Sequence, residues 1–468
     1  FARMFGRMQP QENHRVLSRG IRRARVPAFL ALAVLLHAVL AFGFRQVVPL
    51  FDWPDEPAHF NNARHLAETG RFDVVGAQDW NPLWEEDLKA RHFQEEGLLE
   101  NPELLKIRYH SGHFPLYYIA AAGAYCLTGS PQAMKAVNFL FSCGTLVLTF
   151  LIARRVFSGR WEPLAAATLF VALHPMRAYM AVAINNDAAG ECLLALCIWL
   201  ILARRPAWAV GLAAGMGVLA EVEVGLIVPL YALWALLDPQ RGSTWRVRLC
   251  SRRWIRDVFT VGGICVAVAS PWILRNLHLY GWGDPLGMQA HADYYRKVYL
   301  ESAGHRFPSL VWTGPYGVVE YFRILFISWW GVYGWMSMWP PIQQVGLMIA
   351  LSLLPLAGSL GAVIRRLQPD PAHRPSLSES ARMGWWLAAI PLGYIVLLTG
   401  FSMRNFQPQG RYLLIACPVW GILFALGWFA LPRFWRVPAA AASLAAMAWL
   451  GWSAVHSVIP WYLAHSPG

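Results

Sequence analysis

The sequence predicts an all-α polytopic membrane protein with about eleven transmembrane helices, and three observations carry that reading. Of 468 residues, 56% are hydrophobic and only 14% are charged, and the mean hydropathy of +0.37 lies outside the soluble globular range. Apolar runs near the ~20 residues that cross a bilayer recur along the chain. Arginine clusters separate these runs, and 24 tryptophans suit two interfacial belts, where an indole buries its body and keeps its N–H wet.

The elements follow in chain order. Arg3, Arg7, Arg15, Arg19, Arg22, Arg23 and Arg25 precede the first run, so the positive-inside bias places the N-terminus in the cytoplasm, and residues 26–48 cross outward. This run is long and lacks a small-residue cleavage site, so no cleavable signal peptide is expected. Further spans are expected at 133–153, 162–183, 186–203, 207–220, 222–237, 257–274, 345–364, 383–400, 412–431 and 437–458. Arg154/Arg155, Arg204/Arg205, RGSTWRVRLCSRRWIR (241–256), Arg365/Arg366 and Arg433/Arg436 all fall on the cytoplasmic side only if the run 113–128 does not cross. That run, HFPLYYIAAAGAYCLT, is short and aromatic at its start, and it reads as an interfacial helix on the outer surface. A single transmembrane domain, 1–458, then ends in an outer tail, 459–468.

Parity leaves three polar segments outside: 49–132, 275–344 and 401–411. From Phe51 to Gly112 lie 13 of the 27 acidic residues of the chain against six basic ones, which makes the first outer loop acidic and the remainder basic. Within it, WEEDLKARHFQEEGLLENPELLK (84–106) reads as amphipathic, juxtamembrane helix pieces. RRLQPDPAHRPSLSESAR (365–382) reads as a solvated cytoplasmic loop. The net charge of +13 resides in arginine runs between spans rather than on a basic face with aromatic platforms, which argues against nucleic acid as a partner. Seven scattered cysteines without a CxxC pair read as packing residues.

Four polar clusters share the outer side. PDEPAHF (54–60) sets Asp55 and Glu56 together, with His59 four residues beyond Asp55 on the same helix face and Arg64 further along. The same acids suit the start of the helix NNARHLAETG, where the dipole favours them, and both readings hold together. HPMRAYMAVAINNDAAGE (174–191) carries Asn185, Asn186 and Asp187; PWILRNLHLYGWGDPLG (271–287) carries Arg275, Asn276 and Asp284; FSMRNFQPQGRYLLIACP (401–418) carries Arg404, Gln409, Arg411 and Tyr412. Arginines at headgroup level bind a lipid phosphate bidentately, and a carboxylate facing them can take a proton from an attacking hydroxyl. Together they fit displacement of a lipid phosphate at a sugar carbon, where the leaving anion needs charge stabilisation. The open alternative for Asp55, Glu56 and His59 is a divalent cation site; no other cofactor is implied.

These clusters resemble the GT-C-type membrane glycosyltransferases, the superfamily of protein O-mannosyltransferases and lipid A aminoarabinose transferases, and especially an uncharacterised bacterial branch of it. PDEPAHF, HFPLYY (113–118), HP followed by NND (174–187), RNLHLYGWGDPLG (275–287), SWWGVYGW (328–335) and QGRYLL (409–414) carry the likeness, in order, over about three quarters of the chain. The resemblance implies a GT-C fold and sugar transfer from a polyprenyl-phosphate donor at the non-cytoplasmic face of the bacterial inner membrane, usually with inversion. The acceptor would be a glycan, lipid or protein. It implies that Asp55 is the catalytic acidic residue with Glu56 second, that His113, Pro115 and Leu116 form the interfacial segment, and that Gln409, Gly410, Arg411 and Tyr412 attend the donor phosphate. Three departures stand out: Phe114 replaces a proline, YGWGDP carries an insertion, and Glu221 and Glu223 stand where relatives place a lysine. A catalytically silent subunit of a larger membrane complex is the first alternative. A lipid or glycan transporter is the second, disfavoured because the charged clusters sit at the surface and no repeat is visible.

Overall fold

The computed structural model describes residues 12–76, 80–238, 245–303, 314–367 and 379–465. Arg3, Arg7, most of the 365–382 loop and the start of the 241–256 basic stretch lie outside the described residues. Among those described there is no β-strand, only an isolated antiparallel bridge between Tyr333 and Met338. The chain is a polytopic all-α membrane protein.

Helix α1 (Glu12–Val47) is followed by a polar segment containing α2 (Glu56–Thr69), α3 (Pro82–Ala90) and α4 (Pro115–Thr128). Next come α5 (Pro131–Val156), α6 (Trp161–Leu173), α7 (Pro175–Met180), α8 (Asp187–Leu202), α9 (Ala207–Ala220), α10 (Ile227–Leu237) and α11 (Trp245–Leu249). Helix α12 (Arg252–Tyr280) leads into a second polar segment with α13 (Met288–Ala303) and α14 (Gly314–Gly331). The chain closes with α15 (Ile342–Leu367), α16 (Glu379–Ser402), α17 (Cys417–Ala430), α18 (Arg433–Ser453) and α19 (Ile459–His465). Among the described residues, seven helical stretches are long and apolar enough to cross a bilayer: 25–47, 131–156, 252–280, 342–362, 382–402, 410–430 and 433–465. Shorter apolar helices fill 161–173, 207–220 and 222–237.

Local chemistry explains most boundaries. Proline opens α3, α4, α5 and α7, where its missing N–H costs nothing. Asn81 and Ser130 cap α3 and α5 by accepting from Leu83 and Gln132 N–H at 3.1 and 3.2 Å. Gly129 ends α4 in the left-handed conformation.

Four expectations need correction. The run 162–183 is not one span: His174 precedes Pro175, a position that disfavours helical ψ, and its extended backbone separates α6 from α7. The irregular stretch 181–186 that follows is buried, and side chains satisfy its polar backbone, as non-helical chain within an apolar bundle requires. Ile184 N–H donates to Glu56, and Asn138 donates to Met180 O at 2.9 Å. The span expected to end at 274 continues as helix to Tyr280, so Arg275 and Asn276 sit on α12 rather than in a loop. The expected tail is helical to His465. The amphipathic stretch 84–106 is only partly α-helical, with 3-10 turns at Leu98–Glu100 and Leu104–Lys106.

Two apolar cores result. The larger joins the long helices around Phe170, Tyr179, Trp330 and Trp428. The smaller centres on the first polar segment around Phe51, Phe60, Tyr117 and Tyr118 and takes in Met134, Ile184, Ala189 and Ala220, with Tyr294, Tyr295 and Trp335 packed on it. The candidate site forms where they meet, because residues 49–56 leave the first core and enter the second.

Candidate active site

The turn joining α1 to α2 places two adjacent carboxylates in different surroundings. Phe51 and Asp55 both adopt positive φ, 73° and 64°. A phenylalanine at positive φ is a genuine outlier; aspartate is one of the few side chains that tolerates the region. Strain of this kind costs on the order of 1–3 kcal/mol and persists where neighbours over-determine it. Glu56 supplies that constraint. Its wholly buried carboxylate accepts from Phe51 N–H at 2.7 Å and Ile184 N–H at 2.9 Å, and pairs with Lys135 at 2.9 Å. The Lys135 ammonium also sits 3.5 Å from the ring centre of Trp53. Burial, only partly offset by Lys135 and these N–H donors, pushes the Glu56 carboxyl above its usual range.

Asp55 occupies the cap position of α2 but makes no side-chain capping hydrogen bond. Its carboxylate instead forms an ion pair with Arg411, whose side chain is 3% exposed against 22% for Asp55. Tyr109 OH donates to Asp55 Oδ1 at 3.2 Å and lies 3.4 Å from Glu85 Oε1; one phenolic proton serves a single acceptor at a time. His110 Nε2 stands 3.8 Å from the same Asp55 oxygen. Burial pushes Asp55 upward, but the positive charge of Arg411, with His110 and His59, overrides it and holds the carboxyl well below the usual range. Asp55 is an ionised carboxylate at a partly open edge, and Glu56 is a buried tie.

Arg411 is held on every side. Its Nε donates to Gln409 Oε1 at 2.7 Å, its second and third nitrogens reach Pro54 O, Asp55 and Tyr412 OH, and its guanidinium lies 4.8 Å from the Tyr412 ring centre. Gly410 makes this placement possible. Any side chain there would run into the backbone of Leu325 and Trp329 on α14, and Gly410 N–H donates to Ser328 Oγ at 2.7 Å.

A histidine cluster flanks the pair. His59 stacks on His110 with ring centres 4.4 Å apart and pairs through Nδ1 with Tyr118 OH at 2.7 Å. His110 Nδ1 meets His113 Nε2 at 2.8 Å. His291, from the first turn of α13, brings a ring nitrogen within 4.8 Å of nitrogens on both. Burial and the neighbouring histidines hold His59 and His113 well below the ordinary histidine value, and burial with His110 takes His291 to about 4.

The other expected site residues divide. Asp187 lies within electrostatic reach of Arg411 and Asp55, and Asn185 donates to it at 3.1 Å. Asn186 points elsewhere, donating to Ala220 O at 3.0 Å and to the Glu221 carboxylate. Arg275 lies 4.3 Å from the Trp272 ring centre and donates to Asp73 O and Asn276 Oδ1. Asn276 donates to Pro285 O, and Asp284 accepts from Ala290 N–H at 2.8 Å. Arg275 thus ties the end of α12 to the first polar segment, and Asn276 and Asp284 hold the turn between α12 and α13; none of the three is seen to meet Asp55. Arg64 pairs with Glu68 on its own helix, and Arg404 is exposed. Asp55, Glu56 and His59 do not bring ligand atoms together among the described residues, and the Glu56 carboxylate is taken up by Phe51, Ile184 and Lys135. Tyr109, His110, His291 and Lys135 were not anticipated; of these only His110 carried a local signal, its three-residue spacing from His113.

No protein-family model and no curated protein matches the chain. Among solved structures, ArnT from Cupriavidus metallidurans bound to undecaprenyl phosphate superposes with a TM-score of 0.50 at 16% identity, covering 92% of this chain and 64% of that one. The apo state of that ArnT gives 0.49 at 14% identity over 95% and 78%. The Archaeoglobus fulgidus oligosaccharyltransferase tethered to an acceptor peptide gives 0.49 at 13% over 94% and 55%. This chain thus spans less than two thirds of the length of the undecaprenyl-phosphate-bound ArnT. The fold it shares with that protein is the GT-C fold that its sequence motifs resemble.

Proposed function

We propose that this protein is a membrane glycosyltransferase that moves a sugar from a polyprenyl-phosphate donor to a hydroxyl of a glycan, lipid or protein, with inversion. The observation that carries this reading is the Asp55–Arg411 pair, a base and an anion-binding group in direct contact at a partly open edge. While paired, Asp55 is a weak base. A donor phosphate that takes over the guanidinium competes with the carboxylate for it, and an Asp55 released from that charge gains basicity as the donor arrives. The acceptor hydroxyl then attacks the anomeric carbon, the bond from that carbon to the phosphate oxygen breaks with its electron pair on the phosphate, and Asp55 takes the hydroxyl proton. Arg411, oriented by Gln409 and Tyr412, holds the leaving phosphate. The arginine runs between spans support a site on the non-cytoplasmic face of a bacterial inner membrane.

The test is transfer of radiolabelled sugar from a panel of polyprenyl-phosphate sugars into membrane extract, by wild type and by Asp55→Asn. Label incorporated by wild type and lost in the variant is the expected result. No incorporation from any donor by well-folded wild type transfers the weight to a silent subunit, and full incorporation by Asp55→Asn removes Asp55 as the base.

A further inference from the structure

We propose that His110, His113 and His291 bind one zinc-class divalent ion, which ties the first polar segment to the second beside Asp55.

The ligands come from both sides of a junction. His110 and His113 occupy consecutive turns just before α4, where His113 N–H donates to His110 O at 2.9 Å, and His291 N–H donates to Gly287 O at 3.1 Å at the start of α13. One nitrogen of each ring lies within 4.8 Å of the other two, with ring centres 4.1 Å apart for His110 and His113 and 5.8 Å from each of them to His291. Three imidazoles at this spacing can form one N–H···N bond, and His110 with His113 does so at 2.8 Å. That bond leaves His291 unserved: its Nε2 is buried without a hydrogen-bond partner among the described residues, an arrangement native interiors avoid. A cation drawing on a lone pair from each ring would give His291 a partner.

The donor set selects the ion. Imidazole nitrogens suit Zn²⁺ and its neighbours Co²⁺ and Ni²⁺, whereas Mg²⁺ and Ca²⁺ take oxygen. Three protein ligands leave one tetrahedral position for water or another oxygen. If His110 ligates through Nδ1, the nitrogen facing His113, its proton is fixed on Nε2, which faces Asp55 Oδ1 at 3.8 Å. A closer approach of these two groups would make the carboxylate–histidine–metal arrangement that orients a ligand ring. His59 stacks on His110 but is not among the three rings whose nitrogens lie within 4.8 Å of one another.

The inference does not rest on the transferase reading, because binding is measured without any donor. Full-length protein in detergent, stripped with chelator, is equilibrated with Zn²⁺; the readouts are bound metal per chain, the metal-induced rise in unfolding temperature, and the visible ligand-field bands after loading with Co²⁺. Wild type should bind one ion per chain and melt higher with it. His291→Gln, which keeps a polar side chain of similar size at a half-buried position, should bind at least about 100-fold more weakly, beyond the loss an outer-shell partner causes. The exposed His456→Ala should bind like wild type. Equal zinc uptake by wild type and His291→Gln, or a zinc-induced melting shift unchanged in His291→Gln, overturns the site. Zinc failure with Asp55-dependent transfer intact leaves the transferase reading standing; zinc binding without transfer leaves the metal site standing.

Discussion

The arginine–carboxylate pairs Arg177–Glu191 and Arg411–Asp55 differ in a way that separates structure from chemistry. Arg177 and Glu191 meet at 2.8 and 3.0 Å with side chains 2% and 5% exposed. The remaining donors of Arg177 go to Val171 O, Ser142 O and His37, and His37 is fixed by Ser142 Oγ and Ala172 O. That pair is closed, tying α1, α5, α6, α7 and α8 together deep in the larger core. Asp55 and Arg411 form the second pair, but there the carboxylate is partly exposed, sits on a left-handed residue and borders the histidine cluster. A buried pair that satisfies itself locks helices; one that leaves an accessible edge can exchange a partner for a ligand.

The largest test of this contrast acts on activity. Asp55→Asn should lower transfer by about 10²–10⁴-fold, the usual worth of a positioned base, while the unfolding temperature stays near wild type. Asparagine tolerates positive φ and accepts hydrogen bonds from Tyr109 and Arg411. Glu191→Gln should do the reverse. It strands the Arg177 charge in the core at a cost of about 3–5 kcal/mol, seen as a sharp drop in monodisperse yield and melting temperature; a variant as stable as wild type would show that the inner pair does not lock the helices. Gly410→Ala should sit between these, because a methyl group pressed onto the α14 backbone costs about 1–3 kcal/mol and displaces Arg411. Both the melting temperature and transfer should fall, with the donor KM rising. The smallest effect belongs to Tyr109→Phe, which removes one hydrogen bond to Asp55 worth about 1 kcal/mol. Transfer should fall about fivefold, and an unchanged rate would place that phenol on Glu85 instead.

Particular residues show where sequence reasoning stopped. Asp55 and Arg411 stood out because each is a charge at a span boundary, and Arg411 defies the usual charge bias. Their contact joins positions 356 residues apart, which no local pattern encodes. Glu56 was grouped with Asp55 on adjacency alone. Asp55 is the left-handed residue before α2 and Glu56 its first helical residue, so neighbours in sequence entered different environments, one at the edge and one inside. Arg275 misled for the opposite reason: an arginine expected at a boundary became part of α12, and Asp73 and Trp272 took it up.

By itself the sequence determined the class of the molecule, because apolar length and arginine flanks are one-dimensional quantities that a bilayer reads directly. It also marked the proline and cap positions where helices begin, since those depend on a few adjacent dihedrals and donors. Tertiary structure alone decided that 181–186 stays irregular inside the bundle, that Glu56 serves the backbone while Asp55 faces the open edge, and that His291 joins His110 and His113. Each of these depends on which distant group supplies the missing hydrogen bond or charge, and that is settled only when the helices pack.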